Sequence, residues 1–237
     1  MNPLETQESI DPIGGDAREP MAPADHDRAE LEPLGRRLAA SATIDPARWE
    51  RVRAALAARA RAQGLVDVAV VRHDSPLGPL VLAATEAGLV RVGLPAEDED
   101  AVLAELARRI SPRVLRVERA PLERARRQLD AYFARRRRRF ALPIDWRLAT
   151  GFRRAVLGAA ARIPYGATAS YRELACAAGR PAAQRATGTA LATNPLPIVI
   201  PCHRVVPAGG GLGGYRGGAQ AKAALLALEG VALEGTS

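Results

Sequence analysis

The chain has 237 residues, 48% of them hydrophobic and 25% charged, enough apolar material for one large or two small globular domains. No apolar run approaches the roughly 18 residues of a membrane span, and the acidic opening MNPLETQESIDPIGGD is unlike a secretory signal, so a cytoplasmic protein is expected. Two cysteines and three histidines cannot supply a disulfide framework and argue against a structural metal; net charge is +8, but residues 1–35 carry −7 and the other 202 carry +15, which suits a polyanionic partner such as nucleic acid.

Residues 1–35 have scattered single apolar residues and no periodicity, so a disordered acidic tail is expected there. Residues 36–64 read as a helical extension. Asp45-Pro46 makes a cap and first turn, and Trp49, Val52, Leu56 and Ala60 share one face. Residues 65–148 read as a small α+β domain. VDVAVVR, PLGPLVLAAT and GLVRVGL are three strands, a helix follows over 97–109, then a strand at 114–117. The segment 121–134 is an amphipathic helix with Leu122, Leu129 and Phe133 inward. It runs into Arg135–Arg139, a solvated basic face or a phosphate-tracking patch.

From Ala149 the chain turns mainly helical. A helix over 152–162 stops at Ile163-Pro164-Tyr165-Gly166. Thr168 or Ser170 caps the next, 171–178, with Glu173 placed for a capping box on Ser170. Gly179-Arg180-Pro181 breaks the chain before a third helix, 182–192, and the pair fits a helix-turn-helix. Small side chains around the one long Arg185 let that helix press close to a nucleic acid backbone. Ile198-Val199-Ile200 reads as a short buried strand delivering Pro201-Cys202-His203-Arg204, before a glycine-rich loop (209–218) and a last helix, 219–229.

A free thiol needs a neighbour that removes its proton. On an extended segment His203 would point away from Cys202, so a bridging water is the easier relay. A carboxylate would hold the imidazole tautomer, and Glu173 and Glu229 are the acidic candidates in this half of the chain. Cys176 reads as a buried small hydrophobe, His73 as plain surface and Tyr165 as packing. Gly209-x-Gly211-x-x-Gly214 matches a dinucleotide fingerprint, but no second strand of a βαβ unit follows it.

The run SYRELACAAGRP…RATGTALATNPLPIVIPCHRVV…GGYRGG…K..LL.LE resembles the O6-alkylguanine-DNA alkyltransferases (methylated-DNA–protein-cysteine methyltransferases), closely over 149–230 and loosely over 65–145. The resemblance implies an α+β fold, a small sheet domain followed by a mainly helical DNA-binding domain over 149–237 that carries the helix-turn-helix and the active site. It implies no cofactor and no metal, a monomer, and double-stranded DNA as partner, entered from the minor groove with the target nucleotide flipped out. The activity implied is transfer of an alkyl group from O6-alkylguanine, and from O4-alkylthymine, to the protein in a single turnover.

By that resemblance Cys202 accepts the alkyl group, His203 is the water-relayed base and Glu229 orients it. Asn194 ties the helix-turn-helix to the active-site segment. Tyr171 helps turn out the nucleotide and protonates the leaving guanine. Arg185 fills the gap in the base stack, with Gln184, Thr187 and Gly188 also against DNA, and Pro197, Tyr215 and Arg216 line the substrate pocket. Pro207-Ala208 departs from the small polar turn of many relatives. The first 64 residues hold no cysteine, which excludes the zinc module some relatives carry. A non-catalytic sensor of alkylated DNA should lack Cys202, and a transcription regulator should show more base-reading side chains than Gln184, Arg185 and two threonines.

Overall fold

The computed structural model describes residues 45–209 and 211–231. The expected acidic tail and residues 36–44 of the extension lie outside them. The first described element is α1 (Pro46–Ala62), begun by Asp45, whose carboxylate accepts the Ala47 amide at 3.0 Å. Trp49, Val52 and Leu56 of the shared apolar face are exposed, and the helix rests on the propensity of its alanines and arginines rather than on burial. Contacts divide the chain after Arg51, and residues from 52 onward are one compact unit.

That unit begins with a four-stranded sheet: β1 (Val68–His73), β2 (Leu80–Thr85), β3 (Gly88–Gly93) and β4 (Val114–Arg116), in the order β3-β2-β1-β4. β2 is antiparallel to both neighbours and β4 runs parallel to β1. The central strands are apolar on both faces because both faces are covered. Val68, Val70, Val81 and Val90 meet Val102 and Leu106 of α2 (Glu99–Arg109). Ala69, Leu80, Leu82 and Leu89 join Leu122, Ala125 and Leu129 of α3 (Ala120–Phe133) in the larger core. The inward residue near the end of α3 is Tyr132, with Phe133 only half-buried; positions 122, 125, 129 and 132 form the buried stripe.

At Gly88 the backbone takes φ 139°, and an added Cβ would sit 2.2 Å from the Pro143 carbonyl oxygen. Only glycine permits this approach. It lets Leu89 pair with the segment that leaves the sheet, through Leu89 N–H to Pro143 O and Asp145 N–H to Leu89 O, both 2.9 Å.

The helical part follows. α4 (Gly151–Ala160) buries Val156, Leu157, Ala159 and Ala160 against α5 (Tyr171–Ala177) and α6 (Gln184–Ala192). The Ser170–Glu173 capping box forms as its spacing predicts. A two-residue parallel ladder joins β5 (Ala169–Ser170) to β6 (Val205–Val206), and α7 (Gly218–Leu228) packs on the turn that holds Cys202. Among the described residues no helix is long and apolar enough to cross a membrane.

Two smaller readings are also corrected. Cys176 is exposed, because α5 turns its buried side, Leu174 and Ala175, elsewhere. His73 is buried, since it ends the sandwiched strand β1, and its Nε2 lies 3.2 Å from Asp130 of α3.

Candidate active site

The segment from Asn194 to Arg204, between α6 and β6, is buried throughout but is not a strand. Residues 197–199 form a turn in which Ile198 has φ 72°, a strained conformation for a β-branched residue. Cys202–Arg204 is one turn of 3₁₀ helix. An apolar run fits a buried strand and a buried turn equally well, and here Asn194 decides. Fully buried, it accepts the Leu196 amide at 2.9 Å and donates both amide hydrogens, to Ile200 O at 2.9 Å and to the Cys202 Sγ at 3.1 Å. One side chain thus closes the turn and holds the sulfur. The neighbouring Pro195 carbonyl accepts from Val92 of β3 at 2.8 Å, which fastens the turn to the sheet.

Cys202 faces a cavity of about 290 Å³ whose lining includes Tyr171 at the start of α5, Gly188 of α6, and Tyr215 and Arg216 of the glycine-rich loop. Five of the residues anticipated from sequence therefore meet at one place. Gln184 and Arg185 are exposed on the first turn of α6. Two others do not fit. Pro197 is buried in the turn and does not line the cavity. Thr187 is fully buried on the inner face of α6 and offers DNA no surface.

Behind the cysteine lies a buried polar cluster centred on Glu229, the residue that closes α7. Its carboxylate accepts hydrogen bonds from the Tyr132 hydroxyl at 2.7 Å and the Gly166 amide at 3.2 Å, and two from Arg204 at 2.8 Å; His203 Nε2 is 3.0 Å away. Burial alone would raise this carboxyl, but the donors from His203, Arg204 and Tyr132 outweigh it and hold it at about 2. Burial lowers His203 despite Glu229, so the imidazole is neutral at pH 7. With a carboxylate at Nε2, the proton sits on that nitrogen and the lone pair on Nδ1, which is buried without a hydrogen-bond partner among the described residues.

Burial pushes the Cys202 thiol up to about 11, against the pull of the Asn194 N–H and of Lys222 and Arg216. Its proton must go to a neighbouring base for the sulfur to react at neutral pH. Burial and the nearby cysteine also raise Tyr171 and keep its hydroxyl protonated.

Sequence reasoning missed four residues here. Arg204 stands in PCHR itself; beyond its two bonds to Glu229 it donates to Ile163 O at 2.6 Å. Tyr132 was legible from the spacing of the α3 stripe. Lys222, the sole lysine, is fully buried and donates to Val205 O at 2.6 Å, bracing the strand that follows Cys202. Glu97 holds Arg216 at 2.7 Å and also pairs with the buried Arg91, so the sheet domain fixes the rim of the cavity. No sequence signal marks a pair so far apart along the chain.

Tyr132→Phe removes one donor from Glu229 and changes no charge. It is expected to cost about 1.5–3 kcal/mol, the worth of a hydrogen bond to a charged group. Denaturant titration checks this, and an unchanged midpoint would remove Tyr132 from the cluster.

Comparison with known proteins agrees with this arrangement. Residues 151–231 match the family model for the 6-O-methylguanine DNA methyltransferase DNA binding domain, and residues 71–146 match the ribonuclease-like domain of the same proteins. The chain is 41% identical over 156 residues to the methylated-DNA–protein-cysteine methyltransferase of Mycobacterium leprae, covering 66% of this chain and 88% of that protein. It superposes on the crystal structure of Mycobacterium tuberculosis O6-methylguanine methyltransferase with TM-score 0.59 and 38% identity, covering 68% of this chain and 92% of that one. The M. tuberculosis protein in complex with DNA gives TM-score 0.58 at the same identity, covering 68% and 91%. The fold and the buried cysteine define an α+β alkyltransferase architecture. The chain belongs to the methylated-DNA–protein-cysteine methyltransferase family.

Proposed function

We propose that this chain repairs DNA by moving the alkyl group of O6-alkylguanine onto Cys202, with O4-alkylthymine as a second substrate. The observation that carries the reading is Cys202 facing a cavity of about 290 Å³, its sulfur held by Asn194 and backed by a neutral His203 paired with the ionised Glu229. The residues from 149 onward would form the catalytic and DNA-binding domain, and residues 65–148 the supporting one. The exposed first turn of α6, with Gln184 and Arg185, would enter the minor groove, and Gly188 would lie against the flipped nucleotide. Arg185 would fill the stack the nucleotide leaves, at an extrusion cost of roughly a few kcal/mol.

In the reaction, the thiol proton passes through water to His203 Nδ1, and Glu229 stabilises the imidazolium. The sulfur lone pair forms the S–C bond as the C–O6 bond breaks, and its electron pair stays with guanine. The Tyr171 hydroxyl supplies the proton that makes guanine a neutral leaving group. Tyr215 and Arg216 would form the rim of the base pocket, and no cofactor takes part. A thioether has no easy reversal, so each monomer acts once, in the cytoplasm.

Intact-protein mass after incubation with an O6-methylguanine duplex tests this. One added methyl per chain, mapped to Cys202, is the expected result. No gain, or a methyl on Cys176, overturns it.

A further inference from the structure

A second cavity, of about 450 Å³, lies against the other flank of the Cys202 segment. The two cavities share no lining residue: Pro201 and Arg204 face this one, Cys202 the other. Its walls include Arg138, Arg139 and Phe140 from the end of the arginine run, and Arg162 and Tyr165 beyond α4; no carboxylate lines it. Arg138 and Arg204 both lie over the Tyr165 ring, at 5.6 and 5.8 Å. Glu229 answers the charge of Arg204, and three of that residue's five N–H groups are engaged, leaving two. Arg138, Arg139 and Arg162 form no ion pair among the described residues.

Three uncompensated guanidinium groups beside two aromatic side chains select against an apolar ligand, which would strip water from the cations and return nothing. A bare phosphate would leave the apolar wall of Phe140, Leu142 and Ile144 uncovered. A molecule carrying both an anion and a flat ring meets both demands, since guanidinium groups hold phosphate oxygens in pairs and aromatic rings stack on bases. We propose that this cavity binds a phosphorylated nucleoside, its phosphate on Arg138, Arg139 and Arg162 and its base against Phe140 and Tyr165. A free nucleotide and one nucleotide of a strand carry the same chemistry. The site is separate from the alkyl-transfer cavity and does not depend on that chemistry.

The test is calorimetric titration of the full chain with adenosine monophosphate, ribose 5-phosphate and a short undamaged single strand. Arg138→Ala/Arg139→Ala is compared with Arg135→Ala/Arg136→Ala, which removes the same charge from residues outside the cavity. The cavity variant is expected to bind adenosine monophosphate about tenfold more weakly, the control less than about twofold. Ribose 5-phosphate, lacking the base, should bind wild type about tenfold more weakly than the nucleotide. A parallel tenfold loss for the strand assigns the site to nucleic acid, and an unchanged strand affinity assigns it to free nucleotides. No binding of adenosine monophosphate at millimolar concentration, equal losses in both variants, or equal affinity for ribose 5-phosphate overturns the proposal. Alkyl transfer from free O6-benzylguanine, unchanged in both variants, verifies their fold and keeps this result separate from the test of Cys202.

Discussion

Cys202→Ser is expected to lower single-turnover alkyl transfer by about 10⁴–10⁶-fold, the range met when members of catalytic triads are removed. The substitution keeps shape and polarity, so the Asn194 amide still finds an acceptor and the turn should close as before. What changes is acidity and nucleophilicity. The thiol is already pushed up to about 11 by burial, so His203 extracts its proton only because sulfur gives it up more readily than oxygen does. A buried hydroxyl asks far more of a neutral imidazole. Duplex binding should persist, because the exposed first turn of α6 is untouched. Transfer is read from radiolabelled duplex and affinity from a gel shift. Transfer by the serine variant within tenfold of wild type would sink the assignment of Cys202.

What could be read from sequence and what could not divide along physical lines. Features closed within a few residues were legible. The Ser170–Glu173 capping box needs three residues' spacing and nothing else, and the strand runs of the sheet announce burial on both faces. The cysteine, its histidine and Asn194 stand within nine residues and could be grouped at sight. Features that depend on distant partners were not. The run Ile198-Val199-Ile200 reads as a strand from composition, but it has no ladder partner among the described residues, and Asn194 bends it into a turn with one left-handed residue. The resemblance places Thr187 against DNA beside Arg185; the helical period turns it to the core. Tyr132 and Glu229 are 97 residues apart, and only the tertiary fold brings the hydroxyl to the carboxylate. That one bond ties the sheet domain to the polar cluster behind Cys202.

Glu229→Gln is the other large expected effect, and it separates into stability and rate. Among the described residues the carboxylate is the only counter-charge in contact with Arg204, which is itself buried. Neutralising it leaves a guanidinium in the interior, a change that costs about 3–5 kcal/mol when one partner of a buried pair is lost. The pH dependence gives the sign. The folded carboxyl sits at about 2 against an ordinary 4.5, so the unfolded chain binds its proton first as pH falls. The stability it contributes is fully present above pH 4.5 and is lost as pH falls toward 2, an amount of roughly 3 kcal/mol. In the glutamine variant that limb of the acid unfolding curve should flatten while the whole curve lies lower. The rate should fall about 10²-fold or more, since the imidazolium formed at His203 has lost its counter-charge. The acid limb of the rate–pH profile, set by protonation of His203, should also move to lower pH, because without Glu229 the imidazole is a weaker base. Tyr132→Phe supplies the control, for it weakens the same cluster without removing charge and should leave the profile in place. If both variants lose stability and neither shifts the profile, Glu229 holds the fold together around Arg204, and the basicity of His203 comes from elsewhere.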